Sequence, residues 1–200
     1  IRWEDNGGKS WVYFNKGEVY LTNRTPINLN DCPFMPLDLA DRERHQNDFD
    51  IFTDNGKILP TAQMIASRGC PYLCNFCSEN RDLAYPNSRS IDNILDEIEL
   101  RKSQGFKAIF FDDSTFGAYP KLRDLLKSLG QTGMKFGSLN RFNHLTNPKT
   151  IEAYRKAGFV YMYCAIEQFD DNALKQMNKS QDEKTIRKSI NLLAEWGFSL

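Results

Sequence analysis

The 200 residues hold no apolar run near the ~18 residues that span a bilayer, and no signal peptide is visible among the first of them, which in a piece of a longer protein proves little. It has no excess of either charge. Its 26 Lys and Arg balance 26 Asp and Glu, which removes the electrostatic case for nucleic acid or an anionic membrane as the main partner. No G-x-G-x-x-G follows a strand-like run, and there is no P-loop, no H-E-x-x-H and no Ser-His-Asp order. Dinucleotide folds and those hydrolytic sites are disfavoured accordingly. Against these absences, 40% of the residues are hydrophobic and 12% aromatic, enough for a sizeable core and too many for global disorder. The length suits one domain with a short appendage.

The chain starts at Ile1 rather than Met and stops at Phe198-Ser199-Leu200 as a strand begins, so it reads as a piece of a longer protein. Three of its five cysteines fall within eight positions, which is not the spacing of a disulfide framework. Such crowding points to a metal or cluster site in a reducing, cytoplasmic compartment.

Residues 1–60 read as a small β element and a linker. Trp11-Val12-Tyr13-Phe14 and Glu18-Val19-Tyr20-Leu21 flank the turn signal Asn15-Lys16-Gly17. Residues 25–60 hold four of the eight prolines and the charge run Asp41-Arg42-Glu43-Arg44, read as a solvated face of a linker or wrapping segment. From residue 61 the pattern changes to alternating strands and helices. Strand candidates are Thr61–Ala66, Lys107–Phe111, Met134–Leu139 and Phe159–Ile166. Helical stripes run through Ile91, Ile94, Leu95 and Ile98, and through Leu122, Leu125, Leu126 and Leu129. Asn147-Pro148 predicts a capped helix start through Ile151 and Tyr154, and Ser180 with Glu183 predicts a capping box before Ile186, Ile190 and Leu193. Gly105-Phe106, Gly158-Phe159 and Gly197-Phe198 each mark a helix end entering a strand.

Helix, glycine, strand, repeated, means βα units on a parallel sheet, an α/β fold. Four units and the start of a fifth strand suit an incomplete (β/α) barrel over residues 61–200, with an open doubly wound sheet as the alternative. Polar residues gather where the strands end: Ser67-Arg68, Asp112-Asp113, Asn140-Arg141 and Glu167. In parallel barrels that rim carries active sites.

After the first strand comes Ser67-Arg68-Gly69-Cys70-Pro71-Tyr72-Leu73-Cys74-Asn75-Phe76-Cys77, a C-x-x-x-C-x-x-C spacing. Three thiolates in one loop can hold an iron–sulfur cubane and leave one iron open to an exogenous ligand. A zinc site completed by a distant His144 or Cys164 is the other reading, although structural zinc more often pairs two C-x-x-C elements. Cys32 and Cys164 otherwise read as ordinary linker or buried residues, and His45 and His144 as non-catalytic.

This motif, including the aromatic Phe76 before its last cysteine, resembles the signature of the radical S-adenosylmethionine (SAM) superfamily. The resemblance implies a partial (β/α)6 TIM-type barrel, incomplete in this fragment. It also implies Cys70, Cys74 and Cys77 on three irons of a 4Fe-4S cluster, with SAM chelating the fourth. An external flavodoxin- or ferredoxin-type donor supplies the electron that cleaves SAM to methionine and a 5′-deoxyadenosyl radical. Residues 25–200 resemble the cobalamin-binding, methyltransferase-like branch. The resemblance rests on Leu29-Asn30-Asp31-Cys32-Pro33-Phe34-Met35-Pro36, Phe110–Phe116 and Leu174–Lys179.

That branch implies cobalamin, held by a domain preceding residue 1, and methylation, rearrangement or cyclisation of a small-molecule or natural-product substrate. A methylthiotransferase and a non-catalytic zinc or iron–sulfur module are the rival readings. The resemblance further implies that Asp112, Asp113 and Ser114 meet the SAM amino group, Arg141 its carboxylate, and Glu167 its ribose. Tyr72 and Phe76 are expected around the cluster and cosubstrate. The chain departs from the family in Ala165-Ile166-Glu167, where a Gly-x-Glu is usual, and in Ser180, where glycine usually follows Lys179.

Overall fold

The computed structural model describes residues 10–15, 18–23, 27–37, 52–54, 56–79 and 87–200. The turn at Lys16-Gly17, Pro26, the charge run at 41–44 and His45 lie outside the described residues. Strands β1 (Ser10–Asn15) and β2 (Glu18–Asn23) form the expected antiparallel hairpin, with Ser10 opposite Asn23 and Asn15 opposite Glu18. A second small hairpin, β3 (Thr53–Asp54) with β4 (Lys57–Ile58), has no counterpart in the sequence reading.

The remaining elements alternate. They are β5 (Thr61–Met64), the short antiparallel pair β6 (Ser67–Arg68) and β7 (Asn87–Ser88), α1 (Ile91–Ser103), β8 (Ala108–Phe111) and α2 (Leu122–Leu129). There follow β9 (Lys135–Asn140), α3 (Pro148–Lys156), β10 (Phe159–Cys164), α4 (Asp171–Gln176) and α5 (Glu183–Glu195). Among the described residues no helix is long and apolar enough to cross a membrane.

The spatial order β10-β9-β8-β5 is parallel throughout and follows the chain without reversal. Ser199 bridges Tyr161 in parallel and so begins the next strand. One face of the sheet takes the helices: Ile109, Phe111, Phe136, Phe159 and Met162 pack with Ile94 and Ile98 of α1, Leu125 and Leu129 of α2, Ile151 and Tyr154 of α3, and Leu193 of α5. The other face carries Ala108 and Phe110 with Phe52, Leu59, Leu139, Val160 and Tyr161, and among the described residues no residue of a helix. A doubly wound sheet would take helices on both faces and reverse its strand order. This one is singly wound, so the barrel reading holds and the architecture is a partial TIM-type barrel. All four residues of β8 are buried, the continuous apolar run of a strand covered on both sides.

The expected elements form with small shifts. β5 stops at Met64 and β10 at Cys164, short of the predicted ends. Asn147 caps α3 by accepting from the Lys149 amide, with Pro148 in the first turn. The capping box at Ser180 does not form. Ser180 is held at φ +54°, and the cap of α5 is Asp182, whose Oδ1 accepts from the Thr185 amide at 2.7 Å. The Pro-rich segment wraps rather than dangles. Leu29 is buried, Asn30 Oδ1 accepts from the Ser90 amide at 2.7 Å, and Arg101 Nη2 donates to the Met35 carbonyl at 2.9 Å.

Candidate cluster and cosubstrate site

The cysteine loop leaves the sheet through a tightly bonded passage. Arg89 Nη1 donates to the Ile65 carbonyl at 2.9 Å, and the Arg89 amide to the Ala66 carbonyl at 2.9 Å. From the other side, the Ala66 amide donates to Asp113 Oδ2 at 3.0 Å, and the Ser67 amide and hydroxyl both donate to Asp113 Oδ1. Burial pushes the Asp113 carboxyl up to about 6, against the pull of those three donors.

Beyond this passage Cys70 and Cys77 are half-buried and Cys74 is buried, none of the three in a disulfide. Burial raises the Cys70 thiol, opposed first by a backbone hydrogen bond at Tyr72 and then by the Arg141 charge; Cys74 and Cys77 raise it further. Among the described residues, no three His, Cys, Asp or Glu side chains converge on one point as a single metal ion requires. A zinc reading would add His144 or Cys164. His144 Nε2 lies 2.6 Å from the Tyr72 hydroxyl, and burial pushes the Cys164 thiol up to about 12.

The far side of the loop is clamped by the turn that follows α4. The Asn75 amide donates to the Met177 carbonyl at 3.0 Å and its side chain to the Gln176 carbonyl at 2.8 Å. The Asn178 side chain returns a bond to the Leu73 carbonyl at 2.7 Å. Asn178 and Ser180 adopt left-handed backbone on either side of Lys179, at φ +53° and +54°. A glycine would take such a turn without strain, which accounts for the family preference that Ser180 departs from. Lys179 is buried. Its Nζ lies 2.8 Å from Glu167 Oε1 and 5.5 Å from the centre of the exposed Phe76 ring. Glu167 is itself left-handed, at φ +64°, the kind of backbone strain that gathers at functional sites.

The structure brings the expected rim residues together but divides their tasks. Asp112 and Ser114 are exposed at the end of β8, with the Ser114 hydroxyl on Glu79 Oε2 at 2.6 Å. Asp113, expected beside them, is turned away: it is 1% exposed and its oxygens are taken by Ala66 and Ser67. Arg141, expected at the SAM carboxylate, lies under the cysteine loop. Its Nη1 is 3.3 Å from Cys74 Sγ and its guanidinium carbon 3.9 Å over the Tyr72 ring. Tyr72 is held by Arg141, His144 and Asn143 and packs beneath the loop. The sequence reading had no role for Lys179 or for the Asn75 and Asn178 clamp. Lys179 and Asn178 were visible only as part of the run Leu174–Lys179, and Asn75 only as part of the cysteine motif.

A profile of the Radical SAM superfamily matches residues 64–200. The chain belongs to the radical SAM superfamily. Among its relatives is an uncharacterised methyltransferase of Pyrococcus horikoshii, 26% identical over 174 residues, covering 84% of this chain and 36% of that protein. The hopanoid C-2 methylase of Rhodopseudomonas palustris is 26% identical over 147 residues, covering 67% of this chain and 27% of its own. The chain thus spans about a third or less of the length of these curated relatives. The cobalamin-dependent SAM radical enzyme OxsB, solved with aqua-cobalamin and SAM bound, superposes with a TM-score of 0.73 at 19% identity. The match covers 94% of this chain and 28% of OxsB, and shows a shared fold. By their names the two curated relatives are a methyltransferase and a methylase, in keeping with the methyltransferase-like branch that the sequence resembled.

Proposed function

We propose that this chain is the core of an enzyme that cleaves SAM reductively at a 4Fe-4S cluster held by Cys70, Cys74 and Cys77. One observation carries the reading. Three cysteines, none in a disulfide, stand on a single loop at the carboxyl end of the first strand of a singly wound parallel sheet. The donor set fits the group, because thiolates are the ligands of such clusters and the buried Arg141 guanidinium offsets their charge. When bound, the cluster supplies one electron to the SAM sulfonium, so that the bond to the 5′ carbon breaks into methionine and a 5′-deoxyadenosyl radical.

The chain's own residues bind and orient. The Asp112 carboxylate and Ser114 hydroxyl, exposed at the β8 end, take the SAM ammonium. Lys179, held by Glu167, faces the SAM carboxylate, and the free carboxylate oxygen of Glu167 accepts from the ribose. Phe76 backs the Lys179 ammonium and keeps water from it. The full-length protein uses the radical for cobalamin-dependent methylation, or a related rearrangement or cyclisation, of a small molecule in the cytoplasm. A flavodoxin- or ferredoxin-type protein reduces it. Residues 1–60 form the β element and linker that follow a cobalamin-binding domain, and residues 61–200 the core. The Leu29–Pro36 segment and the kinship with methylating enzymes support this finer reading.

The test is anaerobic reconstitution of the full-length protein. The reading expects near four iron and four sulfide per chain, 5′-deoxyadenosine on reduction with SAM, and S-adenosylhomocysteine as the mark of methyl transfer. Cys74→Ala should lose both the brown chromophore and SAM cleavage. One zinc per chain, or 5′-deoxyadenosine still formed by Cys74→Ala, would overturn it.

A further inference from the structure

We infer that Arg141 serves the cluster rather than the cosubstrate: its guanidinium is the hydrogen-bond donor and fixed countercharge of the Cys74 ligand, and it raises the potential at which the cluster accepts its electron. The inference rests on the cluster reading proposed above.

The side chain is aimed by four contacts. Nη1 lies 3.3 Å from Cys74 Sγ, and the guanidinium carbon is 3.9 Å over the Tyr72 ring. Nη2 donates to the Lys179 carbonyl, and Nε faces Asn143 Oδ1 at 3.4 Å. Tyr72 is in turn fixed by Asn143 Nδ2 at 2.8 Å and His144 Nε2 at 2.6 Å. A planar guanidinium stacked on one side and bonded at its edges has little freedom to swing out to a ligand above the rim. A long cation waiting for a cosubstrate carboxylate would be free to move; this one is locked.

Charge gives the second line. Arg141 is 8% exposed, yet among the described residues no carboxylate pairs with it. The other two buried arginines, Arg89 and Arg101, share Glu97 at 2.6 and 2.5 Å. A buried cation without an anion is costly, so buried charges are paired as a rule. The anion that Arg141 touches is the sulfur of Cys74, once ionised as a cluster ligand.

The consequence is electrochemical. One-electron reduction by the external flavodoxin- or ferredoxin-type donor adds a negative charge to an already anionic thiolate-bound cluster, and the donor loses that electron. A fixed positive charge and a hydrogen bond at a ligand sulfur favour the reduced form over the oxidised one, and more so in a water-poor site. Arg141 itself gives up neither proton nor electron. Because it closes β9, it ties the middle cysteine to the third parallel strand as well as to its own loop.

The experiment is an EPR-monitored redox titration of the reconstituted full-length protein, with dithionite and mediators, for wild type, Arg141→Gln and Arg141→Lys. Arg141→Gln should be about tenfold harder to reduce, a midpoint about 59 mV more negative for a one-electron couple. SAM affinity should be unchanged, and Arg141→Lys should recover part of the shift. A wild-type midpoint in Arg141→Gln together with lost SAM affinity would overturn the inference and return Arg141 to the cosubstrate. Should Arg141→Gln fail to hold a cluster, pulsed EPR on reduced wild-type protein labelled with 15N-arginine still decides. A guanidinium nitrogen coupling that disappears in Arg141→Lys supports the inference, and no coupling in wild type overturns it. Wild-type protein with no iron-dependent EPR signal at all is a different result, which defeats the cluster reading itself.

Discussion

The Ser67 hydroxyl donates to Asp113 Oδ1 at 2.6 Å across 46 positions of sequence, joining the end of the second parallel strand to the entry of the cysteine loop. The two amides at Ala66 and Ser67 complete the hold, so the carboxylate accepts three bonds in a buried place. An asparagine of the same shape offers one acceptor oxygen and sets an NH2 against a backbone N–H. Asp113→Asn should therefore lose roughly 1–3 kcal/mol, the usual penalty for orphaning a buried polar group. That corresponds to roughly 2–4 °C in Tm per kcal/mol at this size. Ser67→Ala, which removes one donor and keeps both amides bonded, should lose less. A double-mutant cycle by urea denaturation checks it: equal and additive losses would contradict the shared hold.

How much of this was legible follows from the range of each interaction. β8 was visible because Ala108–Phe111 is apolar at every position, and the helices because their stripes are local. The barrel was legible from the repeated helix-glycine-phenylalanine junctions. The division of labour at the rim was not. Asp112 and Asp113 are adjacent and alike in sequence, and only the distant Ala66 and Ser67 amides separate them. Ser180 with Glu183 and Asp182 with Thr185 both look like caps; the φ of +54° at Ser180 selects the second. Phe52 fits the inner face only because Gly137, 85 positions later, has no side chain, and a Cβ there would stand 2.7 Å from the Phe52 ring. No local pattern announces such a pairing.

Lys179 and Glu167 give a second prediction, on the cosubstrate. Their 2.8 Å ion pair joins side chains, whereas Arg141 meets Lys179 at its backbone carbonyl and Cys74 at its sulfur. Glu167→Gln and Lys179→Met should leave iron content unchanged and weaken SAM binding. A charge-assisted bond of about 1.5–3 kcal/mol predicts a loss of roughly 10- to 100-fold at about 1.4 kcal/mol per decade. Anaerobic calorimetry reads the affinity and iron analysis the loading. Wild-type affinity in both variants would remove the pair from the cosubstrate site.

Two glycines separate conformational strain from collision. Gly105 and Gly158 both end helices at positive φ, +92° and +98°. A Cβ at Gly105 would meet open space, whereas one at Gly158 would stand 2.5 Å from the Met134 carbonyl oxygen, which a strand cannot easily move. Gly105→Ala should cost about 1–2 kcal/mol, the ordinary penalty of left-handed backbone for a side-chain-bearing residue. Gly158→Ala should cost that and a backbone shift besides, roughly 3 kcal/mol or more in all. Chemical denaturation of the two variants side by side measures the difference, and equal losses would mean that β9 yields freely.

The cap of α5 makes a prediction in pH. Asp182 Oδ1 accepts from the Thr185 amide at 2.7 Å; a hydrogen bond with the Thr185 side chain first, and this amide bond after it, hold its carboxyl below the ordinary 3.8. Asp182→Ala should cost about 1 kcal/mol near neutrality, as for other N-cap losses. The sign of the pH effect follows from where the proton binds. With the folded value depressed, the unfolded chain takes up the proton first as pH falls. The stabilisation is therefore complete above about 3.8 and is lost as pH drops through the lower, folded value. Urea midpoints for wild type and Asp182→Ala, compared from neutral pH downward, should be separated at the start and converge in acid. A gap that stays constant through the acid range would show that the cap works by shape alone, without the ionised carboxylate facing the positive end of the helix.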